Sequence, residues 1–299
     1  MLVATFDIGT TAVKAVAVRD DGEPVFTGSQ VLHTIEKNGF KEQDPEEWYS
    51  AFCTLSHALT GKIPAQDISA LIFSGQMQDV IPVGSDRKAL GNAILYSDGR
   101  DGAQAEAIEN AVGSDTITAI TGNHFDGSMP LAKILWLKEN EPENFAKITK
   151  IMLPKDYLAY CLSGSFCSDY SDASGMLLMD VEHKCWSKEM MDICGVTEEQ
   201  LPKLYESYEV VGSLKPEVAA ELGLSENVKI IAGAGDNAAA AVGTGTVGDG
   251  RCNISLGTSG TIFISSANFG VDKNNALHSF AHADGHYHLM GCMLSAASC

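Results

Sequence analysis

The sequence predicts an α/β fold, because three strand-like runs precede the first helical pattern and a short apolar run of strand character follows it. Size agrees: 299 residues, 45% of them hydrophobic, suffice for a substantial core and sit where one core gives way to two domains. The first two strands flank the turn in "FDIGTTAVKAVAV", Phe6 to Val18, with apolar residues near period two at Val3, Phe6 and Ile8 and again at Val13, Ala15 and Ala17. Gly9 allows the bend. An ordinary turn needs only Asn-Gly or Asp-Gly. Here Asp7 precedes the bend, Thr10 and Thr11 place hydroxyls and N–H groups on it, and Lys14 follows. Those groups suit a phosphate and its metal ion.

The third strand is "EPVFTGSQVLH" (23–33). In "DPEEWYSAFCTLSHALTG", Asp44 can cap, Pro45 fits the first turn, Glu46 and Glu47 suit the N-terminal dipole, and Trp48, Phe52, Leu55 and Leu59 share a face. That is a helix. "ISALIFSG" (68–75) has the pattern of a buried strand, "DVIPVG" and "NAILYS" of shorter ones, and a helix is expected from Arg100 to Val112. Residues from about 113 to 225 are more helical, with "PLAKILWLKEN", "PKDYLAYCLSG" and "WSKEMMDICG" at helical spacing. "VKIIA" (228–232) is another buried strand, running into "GAGDNAAAAVGTGTVGDG". A domain change is expected near Gly243 to Gly250, giving a first domain over 1–245 and the opening of a second over 246–299.

Composition excludes several classes. A net charge of −19 argues against nucleic acid, since so acidic a chain repels a phosphate backbone. No apolar run approaches the roughly 20 residues that cross a membrane, and no basic-then-apolar signal opens the chain, so the cytoplasm is the expected compartment. Eight Cys without a CxxC pair are expected to be mostly reduced and buried. Four His (278, 282, 286 and 288) invite a metal by spacing, but no acid or Cys pattern completes a site, and the segment has the pattern of a strand pair with surface or packing His.

"NISLGTSGTIFIS" (253–265) repeats the plan of the first hairpin, with Gly257, Thr258 and Ser259 in the places of Gly9, Thr10 and Thr11. Two such hairpins facing each other across a cleft would hold a triphosphate from both sides. Only the first carries an acid, as expected if Asp7 serves one Mg²⁺ and a second acid would repel the phosphates. "GAGDNA" fits the dinucleotide fingerprint through Gly233, Gly235 and Ala238. Against that, Asp236 would put a negative charge where a pyrophosphate approaches, and the segment comes late in the chain. No GxxxxGK[ST] of a P-loop is present. Asp236 lies between a strand and a short helix, where it is either an N-cap or, if partly buried, a general base.

The motifs "FDIGTTAVK", "EQDPEEW", "SGQMQ", "DGR", "TGN", "LPKDYL", "SDYSDASG", "GAGDNAAAAVG", "SLGTSG" and "MLSAASC", in this order over essentially the whole chain, resemble the FGGY carbohydrate kinases, and most closely their xylulokinase branch. The resemblance implies a ribonuclease-H-like mixed sheet flanked by helices, as in the actin/hexokinase/Hsp70 ATPases, and a second domain of the same type. It implies ATP and Mg²⁺ as cofactors, Asp7 as the metal ligand, and Gly9, Thr10, Thr11, Lys14, Gly257, Thr258 and Ser259 around the ATP phosphates. Asp236 would be the base, with Gln76, Met77, Gln78, Asp236 and Asn237 around the sugar. The implied partners are a small sugar and ATP, with no membrane, and homodimerisation is left open. D-xylulose is the implied substrate, with another sugar or polyol kinase, or a sugar sensor of the same fold, as alternatives.

Two departures bear on the substrate: Gln78 followed by Asp79 stands where His is usual, and Tyr96-Ser97 stands where Trp-Asn is typical. Gln can donate and accept hydrogen bonds but cannot change charge near neutral pH. Kinases of this family continue past "MLSAASC", so the resemblance implies that this chain holds the sugar side and both phosphate hairpins but not the adenosine pocket. Asp98 and Arg100 would form either a bridge beneath the substrate loop or a structural ion pair.

Overall fold

A computed structural model describes residues 2–125, 127–257, 260–272, 274 and 276–293. Strands β1 (Leu2–Ile8), β2 (Ala12–Arg19) and β3 (Pro24–Val31) form an antiparallel meander, followed by helix α1 (Pro45–Thr60) and strand β4 (Ile68–Gly75). β4 returns parallel to β1, pairing Asp7 with Ser74 and Ile8 with Gly75. After helices α2 (Pro130–Asn140) and α3 (Pro154–Ser163) come strand β5 (Val210–Ser213), strand β6 (Lys229–Gly235) and helix α4 (Asp236–Gly243). β6 lies parallel to β4 on its other side, and β5 closes the edge antiparallel to β6. The six-stranded order is therefore β5-β6-β4-β1-β2-β3, a mixed sheet.

The helix over 45–60 forms for the reasons its sequence gives: the Asp44 carboxylate accepts from the Glu46 N–H, Pro45 opens the first turn, and Trp48, Phe52, Leu55 and Leu59 are buried. Phe52 meets Phe6 and Phe73 of the sheet, with ring centroids 4.6 and 5.9 Å apart. α3 joins α1 on that face, while α4 touches β6 and β4. The expected α/β sheet flanked by helices is what the chain forms. A second core, in which Ile108, Ile117, Leu131, Ile134, Leu153 and Leu178 are buried, lies within the helical middle of the chain.

A second sheet comprises β7 (Cys252–Leu256), β8 (Gly260–Ser266), β9 (His278–Ala281) and β10 (Tyr287–Met293), all antiparallel, in the order β7-β8-β10-β9. Motifs of the first part tie it down. Asn123 Nδ2 donates to the Ser279 carbonyl at 3.0 Å, and the Ala281 N–H donates to Ser174 Oγ at 3.0 Å. The His-rich segment is the expected strand pair: His282 and His288 are buried against Phe263 and Phe280, while His286 is exposed.

Several expectations need correction. The helix expected from Arg100 starts at Gly102, because Arg100 is held in the preceding loop by Asp98 and Glu42. The strand over 228–232 continues to Gly235 through a bulge. Asp236 is the first residue of α4, not its cap; Gly235 holds the cap position. The cysteines are not mostly buried: Cys167 and Cys194 are, but Cys185, Cys252 and Cys292 are exposed. Cys252 lies on the edge strand of the second sheet and Cys292 near the end of its last strand. No helix among the described residues is long and apolar enough to cross a membrane.

Candidate active site

Three parallel strands, β1, β4 and β6, end at the same level, where Asp7, Ser74 and Ala234 form one row and Ile8, Gly75 and Gly235 the next. The chain leaves these ends into the Gly9–Thr11 turn, the 76–78 loop and the Asp236 helix. Ligands of α/β sheets bind beyond such carboxyl ends. β1 and β6 flank β4, so their ends lie two strand spacings apart, about 10 Å, which leaves room for a phosphoryl group.

At the first end, the Gly9 N–H donates to the Ala12 carbonyl at 3.1 Å, closing the turn, and no acceptor among the described residues meets the N–H groups of Thr10 and Thr11. Asp7 Oδ1 accepts from Ser74 Oγ at 2.8 Å. Lys14 pairs with Asp7 in the ladder and its side chain is exposed. Gly257 occupies the second hairpin between β7 and β8 and is exposed. Thr258 and Ser259 lie outside the described residues, and no described hydrogen bond joins Gly257 to the first hairpin.

At the third end, Asp236 Oδ1 accepts from the N–H of Asn237 at 2.6 Å and from its Nδ2 at 2.9 Å, which leaves Oδ2 for another donor. Asp236 is exposed by surface area, yet protein atoms pack closely around its carboxylate. Desolvation raises its pKa to about 6, the Asn237 N–H opposes the shift, and the charge of Asp7 adds to it. The two acids thus sense each other across the gap. A cleft of about 470 Å³ is lined by Thr5, Ser74 and Ala234 of the sheet and by Ala239 and Val242 of α4.

The middle loop supplies Gln76, Met77 and Gln78. Gln76 turns inward: it is 2% exposed and its Nε2 donates to Gln43 Oε1 at 2.9 Å. Met77 lies against Gly235, where a Cβ would come within 2.7 Å of its sulfur, and Gln78 against Gly175, where a Cβ would come within 3.3 Å of its side chain. Gln78 has a left-handed backbone (φ 67°) and its amide makes no hydrogen bond to a described residue. Gln43, in the "EQDPEEW" motif, also donates to the Thr10 carbonyl at 2.6 Å and accepts from Trp48 Nε1 at 3.0 Å. One buried amide therefore braces both the Gly9–Thr11 turn and the 76–78 loop. Replacing Gln43 by Ala should strand these partners at about 1–3 kcal/mol each, and thermal melting would register the loss.

Sequence reasoning gave no role to a buried acid beside this loop. Asp79 is fully buried; its Oδ1 accepts from the Tyr96 N–H at 2.7 Å, and its Oδ2 meets no donor among the described residues. Burial pushes its pKa well up, Lys133 pulls the other way, and Asp236 adds to the rise. Asp101, also buried, is raised to about 6 by desolvation, against the pull of Lys133. Only the unusual Asp after Gln78 could have signalled it. Arg100 proves structural: it pairs with Glu42 and Asp98 at 2.7 and 2.8 Å and lies over the rings of Phe40 and Trp136.

Residues 2–243 match the sequence pattern of the N-terminal domain of the FGGY family of carbohydrate kinases. The chain belongs to that family. It is 40% identical over 295 residues to the xylulose kinase of Escherichia coli (strain K12), covering 98% of this chain and 60% of that protein. It is 37% identical over 298 residues to the xylulose kinase of Bacillus subtilis (strain 168), again covering 98% and 60%. Among solved structures, it superposes on a xylulose kinase from Brucella ovis with a TM-score of 0.95 at 36% identity, over 100% of this chain and 62% of that one. A gluconate kinase from Lactobacillus acidophilus superposes with a TM-score of 0.93 at 29% identity, over 99% and 61%. The FGGY chain described here thus spans about 60% of the length of the curated relatives it matches.

Proposed function

We propose that the protein phosphorylates a sugar hydroxyl from ATP, with D-xylulose as the substrate and Asp236 as the base. The observation that carries this reading is a carboxylate of raised pKa, gripped on one oxygen by Asn237, at the end of β6 and within the field of Asp7. A pKa of about 6 leaves Asp236 mostly ionised at neutral pH yet a stronger base than an ordinary carboxylate. Its Oδ2 would accept the sugar hydroxyl's proton as that oxygen attacks phosphorus. Met77 and Gln78 would orient the sugar, and the N–H groups of Thr10 and Thr11 would hold phosphoryl oxygens.

Asp7 fits Mg²⁺ in the manner that ion prefers. With Oδ1 held by Ser74 Oγ, Asp7 would offer its other oxygen to an ion that completes its shell with phosphate and water. When bound, the ion would neutralise charge on the transferring phosphoryl group. The decisive experiment is ATP-dependent phosphorylation by the full-length protein across D-xylulose, L-xylulose, ribulose, gluconate and glycerol. Greatest kcat/KM on D-xylulose is expected; sugar binding without turnover on any of them would point to a sensor. With the best substrate, kcat/KM for the sugar should fall about tenfold per pH unit below pH 6, as Asp236 takes up its proton.

A further inference from the structure

A buried polar chain ends at the residue that precedes the base. Lys155, at the start of α3, is fully buried and its Nζ lies 2.6 Å from Asp156, 2.9 Å from Asp169 and 3.5 Å from Asp172. Asp169 Oδ2 accepts from the Ser171 N–H at 2.9 Å, from Ser171 Oγ at 2.6 Å and from Ser207 Oγ at 2.7 Å. Ser171 Oγ in turn accepts from the Gly235 N–H at 3.1 Å. The directions are fixed: an amide can only donate and an ionised carboxylate can only accept, so the one hydroxyl proton of Ser171 must go to Asp169.

We infer that Lys155, Asp169 and Ser171 are positioning residues that place the Asp236 carboxylate by holding the amide immediately before it. This deepens the reading of Asp236 as the base and rests on it. Gly235 carries no side chain of its own and is the last residue of β6 before α4, so the contacts of its amide set where the helix begins. Ser171 supplies the anchor, Asp169 fixes the Ser171 rotamer, and Lys155 fixes Asp169. Without that acceptor, the Gly235 N–H would be a buried donor with nothing to bind, and the strand end would shift to find water. A shift of this kind moves a reacting group out of line with its target.

The charge balance of the cluster fits the same role. One lysine faces three aspartates, and neither oxygen of Asp172 has a hydrogen-bond partner among the described residues. Burial pushes Asp172 well above the usual carboxylate range; Lys155 opposes the rise, and Asp156, Asp169 and Asp236 add to it. That rise favours the neutral form of Asp172, the form that adds no negative charge beside Asp236.

Ser171→Ala in the full-length protein is the test, with two readouts. Turnover should drop by about 10–100-fold with KM for sugar and ATP unchanged. Hydrogen exchange at the Gly235 amide, which needs no substrate, should accelerate by about tenfold or more. Ser171→Thr, which keeps the hydroxyl, should restore both. Ser207→Ala, which removes another donor to Asp169 but leaves the Gly235 contact, should cost stability and leave turnover near the wild-type value. Should Ser171→Ala fail to fold, Ser171→Cys keeps the size with a weaker acceptor. Either readout at the wild-type value in a folded variant overturns the inference. A wild-type protein that phosphorylates no sugar would instead overturn the proposed function, and the exchange measurement would still decide whether Ser171 holds the strand end.

Discussion

Asp236→Asn should cut turnover at least about a hundredfold while leaving the protein folded. Asn offers Asn237 the same acceptor that Asp236 Oδ1 provides at 2.6 and 2.9 Å, so the local geometry has no reason to change. What disappears is the lone charge on Oδ2 that would take the sugar proton. Melting supplies the control, and its direction is set by the shift. A carboxyl whose pKa is raised to about 6 binds its proton more tightly in the folded chain than in the unfolded one. The ionised group therefore costs stability, fully above pH 6 and not at all below the unfolded value near 4. At pH 7 the Asn variant should melt at or slightly above the wild-type temperature. Full turnover in this variant would leave Asp236 with no part in the chemistry.

The largest effect on stability is expected at Gly233. Its backbone is left-handed (φ +75°), and a Cβ there would come within 1.8 Å of the Phe73 carbonyl oxygen, which belongs to the neighbouring strand and cannot move aside. Gly233→Ala should cost more than about 4 kcal/mol or prevent folding altogether. Gly223 gives the comparison: it has a similar φ of +65° but open space around the added atom, so Gly223→Ala should cost only about 1–2 kcal/mol. Urea denaturation of the two variants separates backbone strain from collision. Equal losses would mean that the bulge in β6 opens readily.

That contrast also explains where the sequence misleads. Gly233 and Gly235 match a dinucleotide fingerprint, yet one is required by a bulge against β4 and the other makes room for the Met77 sulfur. Spacing alone cannot distinguish glycines that admit a ligand from glycines that admit a neighbouring strand or side chain. The sheet, α1 and the turn after Asp7 were legible because their signals are local: alternation, a cap, a proline, a helical stripe. The convergence of Asp7 and Asp236 was legible only as an expectation, through the repeated hairpin and the order of motifs. The Lys155–Asp169–Ser171–Gly235 chain was not legible, since each link joins separate segments and nothing in a single sequence pairs them. Gln76 shows a finer limit, because a residue in the expected sugar loop can spend its amide on Gln43 and not on a ligand.

The arrangement of β1, β4 and β6 has a consequence for how the molecule comes into being. Its central strands run parallel and lie far apart along the chain, so none can pair with another through a simple hairpin. Contacts of such long range are slow to form. During synthesis the early meander can assemble while the rest is still being made, but the gap between the two acids does not exist until β6 has emerged and docked beside β4. A nascent chain stalled before that strand would carry the turn after Asp7 and much of the core but not the second acid.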